Sequence, residues 1–186
     1  MSCTITKGLN RGACRAMGGI KEVYFIKGDD TYYAPSVVSN EISQLTGTDG
    51  NELILYKFEN LIGSGRAIET NTYDEAAGTQ FFNQEVSIFA RGFDAERILM
   101  FKELCKSTVA IVVHYNSGIS RLFGKDFFMD ASGGENTSGE AAGDANSFNV
   151  VFGGKEVEAA LPIVGSTLLL PLGTMPLDGY TVINGD

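Results

Sequence analysis

The chain has 186 residues, 44% of them apolar and 20% charged, the balance of one folded core and not of a disordered chain. Its formal net charge of −9 argues against a surface built to grip nucleic acid, which needs clustered Lys and Arg. Twenty-three glycines against four prolines, with twelve Phe, seven Tyr and no Trp, favour β-structure rich in turns and bulges.

Residues 1–19 are glycine-spaced and aperiodic and read as an irregular arm. Residues 1–27 carry Lys7, Arg11, Arg15, Lys21 and Lys27 against Glu22, a net of +4. The span 133–186 sets Lys155 against Glu135, Glu140, Asp144, Glu156, Glu158, Asp178 and Asp186, a net of −6. Such a basic arm and acidic trailing part could meet head to tail between identical subunits, or form an ordinary solvated scatter of charge. Met1 to Arg15 lack an apolar run and no stretch has about 18 apolar residues, so neither a leader nor membrane insertion is expected.

From Ile20 to Ile26 the sequence turns β-rich and ends at Lys27-Gly28-Asp29-Asp30. Tyr32 to Val38 is a second expected strand, with Pro35 marking an edge or a break. Thr46 to Gly50 reads as a loop. Glu52 to Glu59 follows as a strand, with Leu53, Leu55 and Lys57 on one face and Ile54, Tyr56 and Phe58 on the other, both partly buried. Asn60 to Ala77 is a long polar excursion, possible as a projecting hairpin, before the strand Gln80 to Ala90.

A helix is expected over 94–106. Asp94 suits the N-cap, Glu96 the first turn, and Lys102 and Lys106 the end, while Ile98, Phe101, Leu104 and Cys105 make one apolar stripe. Val109 to Tyr115 is a continuous apolar strand linked through Asn116-Ser117-Gly118 to Ile119 to Phe123. Lys125 to Ala131 is a further short strand, Ser132 to Asn146 a polar, glycine-rich mobile loop, and Ser147 to Val157 another strand. Residues 161–186 hold two apolar stretches broken by Pro171 and Pro176. The sum is a mainly β (α+β) fold: a small barrel or sandwich of about eight antiparallel strands and one helix over 20–160, between an arm (1–19) and an extension (161–186).

Chemical motifs are thin. His114 is the one histidine and lies in an apolar strand, which suits a satisfied core or lumen-facing group better than a catalytic one; a Cys105–His114 dyad is the remote alternative. Cys3, Cys14 and Cys105 are odd in number and widely spaced, so reduced thiols are expected and neither a disulfide framework nor a zinc site. Gly118 to Lys125 departs from a phosphate-binding loop, with five residues between its glycines and Asp126 after the lysine. Asp126, Asp130, Glu135, Glu140 and Asp144 lack calcium-loop spacing, and Asn136-Thr137-Ser138 is a sequon without a secretory context. We expect no enzyme, cofactor or metal. Strand edges, the arm and the excursion instead suggest symmetric self-assembly.

One family fits the order of elements. Gly18-Gly19-Ile20-Lys21-Glu22-Val23-Tyr24-Phe25 behind an arm with Cys3 and Cys14, Arg121-Leu122-Phe123-Gly124 after an apolar hairpin, Gly143-Asp144-Ala145-Asn146-Ser147-Phe148 and Phe152-Gly153-Gly154-Lys155-Glu156 resemble structural proteins of tailed phages of Bacteroidetes hosts. The resemblance covers most of 17–160 and is similar to a tail tube subunit. It implies a virion protein, assembled in the host cytoplasm into stacked homo-oligomeric rings, usually hexamers, whose lumen conducts DNA. Its partners are then further copies of itself, other tail or connector proteins, and DNA in passage. An acidic lumen would repel phosphate and let a duplex slide. Residues beyond Leu161 depart from that pattern, so capsid decoration, a head–tail connector ring and a small cytoplasmic binding domain stand as alternatives. The residues expected at subunit contacts are Lys7, Arg11, Arg15, Gly63, Arg66, Glu69, Tyr73, Leu168 and Leu170.

Overall fold

A computed structural model describes residues 18–28, 33–47, 53–59, 64–92, 95–138, 146–163 and 180–184. Among them twelve strands and one helix form: β1 (Ile20–Lys27), β2 (Tyr33–Val38), β3 (Glu41–Gly47), β4 (Leu53–Glu59), β5 (Arg66–Asp74), β6 (Thr79–Arg91), α1 (Ala95–Leu104), β7 (Val109–Tyr115), β8 (Ser120–Phe123), β9 (Asp130–Thr137), β10 (Ser147–Glu156), β11 (Leu161–Pro162) and β12 (Tyr180–Asn184). The fold is mainly β with a single helix, as expected. Among the described residues its sheets are open and do not close a barrel. Six strands run in the order β11-β8-β7-β1-β4-β12, four in the order β5-β6-β10-β9, and β2 pairs with β3 alone.

The six-stranded sheet is the middle layer, and β1 and β7 show why. Val23 and Phe25 of β1, with Val109, Ile111 and Val113 of β7, face Val86, Ile88, Phe148, Val150 and Phe152 of the four-stranded sheet. Their neighbours Tyr24, Ile26, Ala110 and Val112 face the other way, against Ile42 and Leu45 of β3. A strand buried on both sides reads as an unbroken apolar run, which is the form of Val109 to Tyr115. Phe25 joins the first core across the layers, 5.0 Å from the Phe58 ring and 5.2 Å from the Phe152 ring, within the range of favourable aromatic pairs. β4 divides as its alternation suggests: Leu53 and Leu55 enter one core, while Tyr56 and Phe58 flank the other.

Several expectations need correction. β3 falls where no strand was expected before Thr46: it forms a hairpin with β2 through Ser39 and Asn40, at φ 54 and 65. Two successive positive-φ residues in a two-residue link give a twist that matches a hairpin. Of the strand expected over 125–131, only Asp130 and Ala131 are in one, as the start of β9; the residues before them form bends, with Phe128 at φ 58 and Met129 bridged to Val109. β9 occupies the first part of the expected Ser132–Asn146 loop, because pairing with β10 satisfies its backbone despite two glycines. The helical stripe packs only at its end: Leu104 is buried and Phe101 stacks near Phe148 at 5.3 Å, whereas Ile98 is 47% exposed and Cys105 is exposed. Asp94, the expected N-cap, lies outside the described residues. The strand number also exceeds eight, and β12 pairs parallel to β4, whereas the other strand pairs among the described residues are antiparallel.

Candidate assembly surface

The four-stranded sheet turns one face to the core and leaves a mixed polar and apolar face on its other side. Register fixes which side chains share each face. Ala67, Val86, Val150 and Phe152 point into the core, so Arg66, Glu85, Ser87, Asn149, Lys155 and Glu135 take the other side together with the apolar Ile68, Phe81, Phe89 and Val151. On that outward side Arg66, Arg91 and Lys155 stand among Glu85 and Glu135, with Arg66 paired to Glu85 at 3.2 Å. The acidity of the chain is therefore not concentrated on this face.

Among the described residues no strand pairs with the outer side of β5 (66–74), nor with that of β9 over 130–136. β9 is also exposed almost throughout. The β5–β6 hairpin extends past the end of β10, whose last pairing is Glu156 with Phe82. Its turn is built locally: Asp74 Oδ1 accepts hydrogen bonds from the amides of Ala76 and Ala77, at 3.0 and 3.1 Å, and Gly78 takes φ 63. Side-chain pairs continue to the tip, with Asn83 Nδ2 donating to Thr72 Oγ1 at 2.9 Å and Gln80 Nε2 to Asn71 Oδ1 at 3.1 Å. The excursion over 60–77 is thus an ordered projecting hairpin in its described part.

Of the residues expected at contacts, Arg66 and Tyr73 are exposed, Tyr73 at 64% on the projecting hairpin. Glu69 is placed differently. Its Oε2 lies 2.6 Å from Arg121 Nη2, and its Oε1 accepts from the Ala160 amide at 2.5 Å and from Gln84 Nε2 at 3.2 Å. Its carboxylate is committed within the chain. Lys7, Arg11, Arg15, Gly63, Leu168 and Leu170 lie outside the described residues.

The candidate chemical groups do not converge. His114 Nδ1 lies 3.1 Å from Ser120 Oγ, both buried, on the face of β7 shared by Ala110 and Val112. Leu104, next to Cys105, packs into the core on the opposite face of that sheet, so the sheet stands between the two members of the dyad named as the remote alternative. Burial holds the His114 imidazole below its ordinary pKa, Lys21 adds to this and Glu22 opposes it. Gly118 and Gly124 take φ 84 and 67 as turn residues, and the Gly124 amide donates to Gln84 Oε1 at 2.9 Å. No group of three or more metal-capable side chains occurs among the described residues, and no described helix is long and apolar enough to cross a membrane.

Sequence reasoning passed over one group that the fold makes conspicuous. Glu156 is 2% exposed; its Oε1 accepts from the amides of Asp126 and Phe127, at 3.0 and 2.9 Å, while Oε2 has no hydrogen-bond partner. Burial pushes its pKa up, against the two amides that lower it. The signal was present in the sequence: period-two alternation puts Glu156 on the same face as Phe148, Val150 and Phe152. The carboxylate pins a turn that presents Phe127 to solvent at 65% exposure.

No family model, curated protein or solved structure matches this chain. Its function must therefore be argued from its own surfaces.

Proposed function

We propose that the chain is a structural subunit that assembles with copies of itself, and that the assembly is a stacked-ring tube of the phage tail kind. The observation that carries the proposal is the four-stranded sheet: one face on the core, the other outward with mixed polar and apolar side chains, and edges at both β5 and β9 that no described strand pairs. A long open edge is a template for pairing with another chain. When two such edges lie on opposite sides of one sheet, pairing β5 of one copy with β9 of the next is heterologous, and it closes into a ring if the rotation allows. The resemblance to tail tube subunits supports the choice of a ring that stacks.

In that ring the outward face of the sheet lines the lumen. Its near-balanced charge, with Arg66 already paired to Glu85, presents no cation cluster to hold phosphates. The β5–β6 hairpin then projects toward the adjoining ring, with Tyr73 at the contact. The basic arm bearing Lys7, Arg11 and Arg15 meets a neighbouring subunit, and the virion is the site of action.

Negative-stain microscopy of the purified chain tests this reading. Long hollow rods are the expected result. Isolated rings would favour a connector or decoration role, and monodisperse small particles would sink self-assembly altogether.

A further inference from the structure

The bent segment 124–128 links β8 to β9 and is fixed at both ends. At its start the Gly124 amide donates to Gln84 Oε1 at 2.9 Å. At its far end Met129 and Val109 exchange backbone hydrogen bonds of 2.7 and 2.9 Å. Between these anchors the amides of Asp126 and Phe127 both donate to one oxygen, Glu156 Oε1. β10 carries a glycine where the segment crosses it: a Cβ on Gly154 would lie 2.7 Å from the Phe128 carbonyl oxygen.

The arrangement at Glu156 suits a carboxylic acid better than a carboxylate. Both donors meet at Oε1, while Oε2 is buried with no hydrogen-bond partner among the described residues. The acid carries its proton on the second oxygen and leaves the first to accept. The ionised group would instead hold charge on a buried oxygen that no donor reaches.

The charged groups around it divide. Lys125, on the segment, favours the ionised form, and Asp126 beside it opposes it. Lys125 is itself held by Asp126 at 3.2 Å and by Glu158 at 3.1 Å. β6 contributes the neutral Gln84 and, opposite Glu156 in register, Phe82. Lys155 lies over the Phe81 ring on the other face of the sheet, and Glu69, bonded to Gln84, is paired to Arg121. Burial outweighs the two amides and Lys125, so the closed segment disfavours the ionised form.

We propose that Glu156 is a proton-controlled latch: protonated, it holds 125–128 against β10; ionised, it turns to solvent and releases the segment between its Gly124 and Met129 anchors. Such a latch needs no assembly to operate. What it controls is the placement of Phe127, an aromatic side chain 65% exposed.

The closed segment holds the proton more tightly than the open one. Release therefore grows as pH rises above the ordinary glutamate range, by up to about tenfold per pH unit, and levels off above the closed-state pKa. Amide deuterium exchange of the full chain between about pH 4 and 8, corrected for intrinsic rates and read by mass spectrometry, tests this. Peptides covering 125–128 should lose protection several-fold over that range while β7 keeps its own. Glu156→Gln should remove the dependence. Protection of 125–128 that stays constant with pH in the unsubstituted chain overturns the proposal, whether or not the variant folds. An equal loss in Glu156→Gln overturns it as well.

Discussion

Glu69 and Arg121 form an ion pair at 2.6 Å that reads both backbone groups of Ala160. Glu69 accepts from the Ala160 amide at 2.5 Å, and Arg121 donates to the Ala160 carbonyl through Nε at 3.1 Å and Nη2 at 2.8 Å. The pair thereby joins β5 of one sheet, β8 of the other and the residue where the chain turns into β11. Arg121 also lies over the Phe123 ring at 5.3 Å.

Because these groups are mostly buried, with side-chain exposures of 15% and 30%, removing one leaves the other poorly paired. Glu69→Ala and Arg121→Ala should each lower unfolding free energy by about 2–4 kcal/mol. Glu69→Gln, which keeps an oxygen for the Ala160 amide, should cost about half as much. Urea denaturation measures this. Changes within about 0.5 kcal/mol for all three variants, the usual range of a surface substitution, would refute the role.

The Glu156 carboxylate should leave a pH signature. Its folded-state pKa is raised by burial, so its contribution to stability is fully present below the ordinary glutamate range and is lost as pH rises through the folded value. Glu156→Gln keeps an oxygen for the Asp126 and Phe127 amides and cannot ionise. At neutral pH it should match or exceed the unsubstituted chain by about 1 kcal/mol, and the difference should shrink on acidification. Glu156→Ala should instead lose about 1–3 kcal/mol, since two amides lose their acceptor. A Gln variant equally weakened at every pH would contradict this assignment.

Gly124 is held at φ 67, where an added Cβ would lie 2.9 Å from Met129 Cγ and 3.0 Å from the Phe128 carbonyl carbon. Gly124→Ala should destabilise by about 2–4 kcal/mol, combining the left-handed backbone cost with overpacking. Gly133 is the contrast, with nothing within 4 Å of its built Cβ. Gly133→Ala should change stability by less than about 1 kcal/mol, as thermal unfolding would show.

The basic arm is a separable element in this account. A chain lacking residues 1–16 should fold with the melting temperature of the full chain but fail to polymerise. Tubes from that truncated chain, seen by microscopy, would end the arm's proposed role.

Much of the fold was legible in the residues, for identifiable reasons. Val109 to Tyr115 reads as a strand buried on two sides because nothing polar interrupts it before His114, and β4 sorts its faces by simple alternation. β9 was hidden because Gly133, Gly134 and Asn136 have poor strand propensity, and only the register with β10 makes them extended. The helix was found and its packing overestimated, since spacing gives a shared face but not whether a sheet lies beneath it. For the candidate surface, the β5–β6 hairpin was foreseen as an excursion. The inward commitment of Glu69 depends on Arg121, 52 residues away, and no local pattern carries that.

The central claim is that the open edges of β5 and β9 join copies of the chain. Its most direct measurement compares the unsubstituted chain with Gly133→Lys/Glu135→Lys by negative-stain microscopy, after unfolding curves show equal stability. Two lysines on β9 put charge at the edge where an incoming strand must pair, at sites that are exposed within the chain. The account predicts hollow rods from the unsubstituted chain and dispersed single subunits from the variant; rods of the same form from both would contradict it.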